Sequence, residues 1–103
     1  MEATYKINKN ELTIKFIGQI TGTEGAHFTE ECEKILGLHY SKIFLDMSYV
    51  PSMNSSAIGD LIRLHKSLIS EQRSLVISGI HENLNQAFFS IHLDKILNIH
   101  KLA

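Results

Sequence analysis

The sequence has few of the residues that cross-link a small fold, interrupt its helices and strands or fill its core with large rings. It has one cysteine, one proline and no tryptophan among 103 residues. A lone cysteine excludes an internal disulfide, and a chain of this length can be stable on its buried apolar surface alone. No apolar run approaches the ~18 residues that cross a bilayer, and no signal-peptide pattern opens the chain. These absences predict one domain in the reducing cytoplasm, without membrane insertion.

Neither sign of charge is in excess or gathered into a block. Ten Lys and Arg residues against eleven Asp and Glu residues give a formal net charge of −1. Nucleic acids and anionic membranes attract proteins mainly through clustered positive charge. The composition therefore argues against a nucleic-acid partner and favours a protein or a small molecule.

The residues that usually carry catalysis or bind metal are not arranged to do so. The six histidines are scattered, and His81-Glu82 lacks the second histidine of a zinc-protease motif. The glycine-flanked elbow of a serine hydrolase is absent, and no glycine-rich loop opens a strand–helix unit. We therefore expect no catalytic residue, no metal and no cofactor.

The spacing of apolar residues predicts an α/β domain. Segments 4–7 and 12–17 alternate in period two around a turn signal and predict a β-hairpin, while segment 24–36 has a helical period. The complete order is β-β-α-β-α-β-α-β, a mixed sheet covered by amphipathic helices. The later strands are expected at 43–45, 75–77 and 96–99, the first two buried on both faces. A second helix is expected after residue 54 and a third helix over residues 84–91.

The helices are expected to bury their apolar stripes, and Thr21 or Thr23 to cap the first helix. Asp60, Arg63 and Lys66 should face outward on the second helix. The expected stripes contain Ile58, Leu61, Ile62, His65, Leu68 and Ile69 in the second helix and Leu84, Ala87, Phe88 and Ile91 in the third.

The segment from 46 to 59 joins the end of a buried strand to the start of the second helix, where sites gather in open α/β sheets. Asn54 is a good N-cap and puts Ser55 and Ser56 in the first turn. Ser55 continues the Ile58 stripe and should be buried, whereas Ser56 should face outward. Gly59, costly inside a helix, would let another surface approach. A capped helix without any site is the plainer interpretation of the same residues.

Several stretches resemble one known family. KIFLDMSYVPSMNSSAIGDLIRLHKSL, followed by RSLVISGI, is similar to the core of the STAS family of anti-sigma-factor antagonists. FIGQITG, around Gly18, is similar to the end of that family's second strand. The predicted order of elements agrees with the family along essentially the whole chain, so the resemblance implies a single STAS-like domain over residues 1–103.

The resemblance implies a non-enzymatic partner-switching regulator of transcription. In the family the second serine, here Ser56, is phosphorylated by a histidine-kinase-like serine kinase that is itself the anti-sigma factor. A metal-dependent serine phosphatase reverses the modification. The implied partner-binding residues are Gly18, Ile20, Thr21, Gly22, Thr23, Met53, Asn54, Ser55, Ser56, Ala57, Gly59, Asp60 and Arg63.

Three positions depart from the family pattern. Asn54 stands where aspartate is usual, Ala57 where glycine is usual, and Thr21 where an acidic residue commonly follows the second strand. Asn54 keeps the cap and Ala57 favours the helix, so the fold is unaffected. The Asn54 and Ala57 departures favour the alternative of a constitutive STAS scaffold or transporter-accessory module that is not phosphorylated.

Overall fold

A computed structural model describes residues 1–100, which form a five-stranded sheet and three α-helices in the predicted order. A 3-10 helix, Leu93–Lys95, precedes the last strand. The strands are β1 (Glu2–Asn8), β2 (Glu11–Ile17), β3 (Lys42–Tyr49), β4 (Ser74–Ile80) and β5 (Asn98–Ile99), and the helices are α1 (Thr23–Gly37), α2 (Ser55–Ser70) and α3 (Glu82–Ser90).

The sheet is mixed, as predicted. Its strand order is β1-β2-β3-β4-β5, with β1 antiparallel to β2 and every later pair parallel. The β1–β2 hairpin turns at Lys9-Asn10, with Lys9 at a φ of 55°. The parallel strands all end at the same edge of the sheet, so the loops that follow β2 and β3 are neighbours.

One face of the sheet is covered much better than the other. Side chains on β2 alternate, with Leu12, Ile14 and Phe16 fully buried and their neighbours partly exposed. The connections from β2 to β3, from β3 to β4 and from β4 to β5 all step in the same direction across the sheet. Because such crossovers are right-handed, they put the three helices on one face. Phe44 points to the other face and is only half-buried, so the prediction that β3 is buried on both faces is wrong.

Helix α1 packs on the covered face of the sheet. The ring of Phe28 meets the ring of Phe16 edge to face, with centroids 5.3 Å apart. The helix ends at Gly37, as its sequence predicts. Its N-cap is Gly22, which has no capping side chain, so the prediction of a threonine cap is wrong.

Helix α2 is rotated from the orientation that its apolar pattern predicts. Its most buried residues are Ala57, Leu61, Leu64 and Leu68, whereas Ile69 is 55% exposed. The rotation arises because α2 packs against α1 as well as the sheet. The apolar pattern of α2 alone gives no information about this contact with α1, so it predicts the wrong buried face.

Two further side chains differ from expectation at the end of α3. Leu84 and Phe88 are buried as predicted, but Ala87 is exposed and Ile91 is 51% exposed. Ile91 follows the last helical residue and lies at the C-cap, where the helical phase no longer applies. The prediction of burial is wrong for these two residues.

The rotation of α2 can be tested by comparing two apolar truncations on the same helix. Leu61→Ala should lower the free energy of unfolding by about 2–5 kcal/mol, because it empties a fully buried position. Ile69→Ala should cost less than about 1 kcal/mol, because more than half of its surface is exposed. Urea unfolding monitored by circular dichroism measures both. Equal losses would place Ile69 in the core and contradict the observed orientation.

Candidate partner-binding site where α1 and α2 begin

Backbone hydrogen bonds join the loop after β2 to the loop after β3. The N–H of Gly18 donates to the carbonyl of Tyr49 over 2.9 Å, and that of Ile20 donates to Ser52 over 3.0 Å. The N–H of Asn54 donates back to the carbonyl of Ile20 over 2.9 Å, and Ile20 and Met53 form a parallel bridge. Parallel pairing therefore continues past both strand ends. Residues 18–23 and 53–56, which this pairing brings together, form a candidate docking surface.

Two glycines allow the first of these loops to turn. Gly18 has a φ of 105° and Gly22 a φ of 57° with a ψ of −129°, backbone conformations that side chains disfavour. Gly22 places its own carbonyl and that of Thr21 to accept from the first N–H groups of α1. The loop thus starts α1 through backbone geometry instead of a capping side chain.

Asn54 begins α2 as the sequence predicts. Its backbone is extended, and its Oδ1 accepts a hydrogen bond from the N–H of Ala57 over 2.8 Å. The same side chain lies against α1, because a Cβ placed on Gly25 would come within 3.1 Å of Asn54 Nδ2. Gly25 therefore lets the two helix starts approach each other closely, a role that its sequence context did not indicate.

Both serines of the first turn of α2 are exposed. The prediction that Ser55 is buried is wrong, because the buried line of α2 starts at Ala57 and is rotated away from it. The two hydroxyls still occupy different faces. Ser56 lies three and four residues before Gly59 and Asp60, on the side of α2 that faces α1.

Asp60 is the largest departure from the predicted site. It was expected to face outward, but it is 6% exposed and is the only charged residue buried among residues 1–100. Thr29 of α1 contacts one carboxylate oxygen over 2.5 Å, and Arg63 donates to the other. Thr29 also lies 3.0 Å from the carbonyl of Gly25. A hydroxyl has one proton, and the shorter contact to a charged acceptor assigns it to Asp60.

A groove of about 250 Å³ separates α1 from α2 beside this carboxylate. Cys32 lines the groove and is 6% exposed. Burial, followed by the nearby charge of Asp60, raises the pKa of the Cys32 thiol to about 12. The thiol is therefore protonated at neutral pH and unreactive.

The structure brings the implied binding residues together at one edge of the sheet, but not all at the surface. Ile20 and Ala57 are fully buried and support the loops from beneath. Thr29, which the sequence analysis missed, contacts Asp60 across 31 residues of chain, and no local pattern signals it. The implied residues that are exposed or half-buried are Gly18, Thr21, Gly22, Thr23, Met53, Asn54, Ser55, Ser56, Gly59 and Arg63.

Two negative findings apply to the described part of the chain. None of its helices combines the length and the apolar character that a bilayer crossing requires. Within the same residues, His, Cys, Asp and Glu side chains do not form a group of three that could hold a metal ion.

The chain is similar to known proteins in both sequence and fold. The family model of the STAS domain matches residues 2–102. TM1081 from Thermotoga maritima, proposed to be an anti-sigma factor antagonist, is 25% identical with a TM-score of 0.79, over 98% of this chain and 86% of its own.

Two further solved structures share the fold at lower identity. An anti-sigma factor antagonist from Mycobacterium paratuberculosis has a TM-score of 0.85 at 11% identity, over 96% of this chain and 84% of its own. The unphosphorylated anti-sigma factor antagonist SpoIIAA of Bacillus has a TM-score of 0.77 at 10% identity, over 99% and 89%.

The role of Asn54 can be tested with two substitutions. Asn54→Ala should lower the free energy of unfolding by about 1 kcal/mol, because the N–H of Ala57 loses its acceptor. Asn54→Asp keeps an oxygen at the same place and adds a negative charge at a helix N-terminus, so it should be neutral or slightly stabilising. Urea unfolding of the three proteins measures the difference. An equal loss in both variants would show that contact with Gly25, not the cap, is what matters at this position.

Proposed function

Because the chain belongs to the STAS domain family, we propose that it is a non-enzymatic partner-switching regulator of the anti-sigma-factor-antagonist type. It binds a histidine-kinase-like serine kinase of the anti-sigma type through the docking surface. Phosphorylation of Ser56 releases that partner, and a metal-dependent serine phosphatase restores binding. The cycle takes place in the cytoplasm and affects transcription through the kinase's other partner.

The exposed hydroxyl of Ser56, in the first turn of α2, is the observation that carries this proposal. Ser56 lies two residues after Asn54, whose N–H donates to the carbonyl of Ile20 in the other loop, so one interface can cover both loops and the serine. Ser56 is preferred to Ser55 because its side of α2 faces α1 and the loop that precedes it. Gly59, one turn further along, adds no side chain that would block a partner.

A phosphate on Ser56 would act on the interface and leave the fold intact. It adds about −1.5 to −2 charges at pH 7. A helix N-terminus stabilises such a charge by about 0.3–1 kcal/mol when it is exposed. Burying it unpaired against a partner costs several kcal/mol instead. Each 1.4 kcal/mol changes affinity about tenfold, so the partner dissociates while the domain stays folded.

Structures of SpoIIAA support the intact fold. That protein has been solved both unphosphorylated and phosphorylated, and the two forms match this chain with TM-scores of 0.77 and 0.73. A phosphorylated protein with this fold is therefore stable enough to be solved. This is what an interface switch requires and what an unfolding switch would not give.

The alternative is a constitutive STAS scaffold or transporter-accessory module that is never phosphorylated. It is favoured by the absence of any acidic residue in the first turn of α2. Basic groups of a kinase would find no carboxylate there. Asn54 supplies the cap that an aspartate would, so the start of α2 is formed without that charge.

The acceptor assignment is tested with the histidine-kinase-like ATPase encoded nearest to the gene. Incubation with this kinase and ATP should add one phosphate to the wild-type chain. Ser56→Ala should abolish incorporation, whereas Ser55→Ala, its matched control in the same turn, should retain it. Intact-mass analysis measures incorporation, and circular dichroism confirms that both variants are folded. Phosphate on Ser55 alone would overturn the assignment, and kinase binding without any phosphate transfer would favour the constitutive module.

A further inference from the structure

We propose that Arg63 is an intramolecular ligand for a phosphate on Ser56, and that Asp60 competes with this phosphate for the same guanidinium. The inference rests on the proposed function only in requiring that Ser56 carries a phosphate. Arg63 then has two states. It binds Asp60 when Ser56 is unmodified and binds the phosphate when Ser56 is phosphorylated.

The guanidinium of Arg63 already lies beside the face that Ser56 occupies. Its Nη2 donates to Asp60 Oδ1, and its Nη1 lies 3.6 Å from where a Cβ on Gly59 would be. The arginine therefore extends back along α2 towards the helix N-terminus. Its charged end is level with Gly59 and Asp60, one turn, or about 5.4 Å along the axis, from Ser56.

Helical phase puts the two side chains in line. Arg63 follows Ser56 by seven residues, which is close to two helical turns. The two side chains therefore leave the helix axis in directions that differ by only about 20°. Gly59 lies between them and has no side chain, so the path from the guanidinium to Ser56 is open. Any larger residue at this position would occupy the space through which the arginine has to move.

The two partners of this ion pair differ in freedom. The side chain of Arg63 is 71% exposed, so it can change rotamer without disturbing the core. The side chain of Asp60 is 7% exposed and is fixed to α1 by Thr29. When the pair separates, the arginine moves and the aspartate stays.

Charge favours the separation once Ser56 is modified. The phosphate and Asp60 would be like charges four residues apart on one helix, an unfavourable arrangement. A guanidinium binds phosphate through paired hydrogen bonds, and a dianion attracts it more strongly than a carboxylate does. Asp60 keeps the hydroxyl of Thr29, so the buried carboxylate retains one donor after Arg63 leaves. The arginine thereby holds the phosphate against α2 in the released state.

The ligand role is tested on protein that carries phosphoserine at position 56, installed during translation. The second pKa of this phosphate, near 6 when unperturbed, is read from a ³¹P NMR titration. Arg63→Gln should raise it by about half a unit, because a nearby cation that favours the dianion is lost. Lys66→Gln removes the same charge one turn further from Ser56 and should change it much less. Arg63→Lys should restore part of the effect.

Equal shifts for Arg63→Gln and Lys66→Gln would overturn the ligand role, since both would then reflect charge at a distance. The side-chain N–H signals of Arg63 provide a second measurement in the wild-type protein. They should shift when Ser56 is phosphorylated, and unchanged signals would contradict the exchange of partners even if a variant fails to fold.

Competition by Asp60 is tested with Asp60→Asn, which keeps an oxygen for Thr29. In this background Arg63→Gln should raise the phosphate pKa by more than it does in the wild-type protein, because no carboxylate draws the arginine away. If Arg63→Gln raised the phosphate pKa equally in both backgrounds, Asp60 would not compete for the arginine. The kinase is not used in these measurements, so the two proposals fail separately. If the kinase does not modify Ser56, the proposed function is contradicted. If Arg63 does not change the pKa of the phosphate, only this inference is contradicted.

Discussion

The continuation of β2–β3 pairing into the loops that follow is the constraint on which the site depends. Three backbone hydrogen bonds, made by Gly18, Ile20 and Asn54, hold the two loops at the same edge of the sheet. Because α1 and α2 start directly after these loops, both helix N-termini are placed by the same contacts. The capping oxygen of Asn54, the approach to Gly25 and the exposure of Ser56 all follow from them.

The opposite end of the helical layer is fixed independently. The guanidinium of Arg73, at the start of β4, donates to the carbonyls of Tyr40 over 2.8 Å, Leu36 over 3.4 Å, and Leu38. These carbonyls lie at the end of α1 and in the loop after it. With α1 held at both ends and joined to α2 through Thr29 and Asp60, a new charge on Ser56 meets a rigid surface. The effect of that charge is then expressed at an interface, because the helices and loops around Ser56 are fixed and only exposed side chains such as that of Arg63 can move.

Local sequence signals were sufficient for the order of elements and for the start of α2. Alternation in β1 and β2 and the capping preference of Asn54 depend on neighbours along the chain, which a sequence displays directly. The burial of Asp60 could not be predicted, because its partner Thr29 is 31 residues away. The rotation of α2 and the exposure of Ser55 were missed for the same reason, since both result from packing against α1. The cap of α1 was mispredicted because Gly22 caps it through a backbone conformation, not a side chain.

The central claim is that the surface around Ser56 binds a partner and that a phosphate there releases it. Its most direct test is the affinity of the cognate kinase for the unmodified chain and for the chain carrying phosphoserine at position 56, measured by titration calorimetry. The account predicts that the phosphate weakens binding by at least tenfold, about 1.4 kcal/mol, while circular dichroism shows both proteins to be equally folded. Equal affinities for two folded proteins would contradict it.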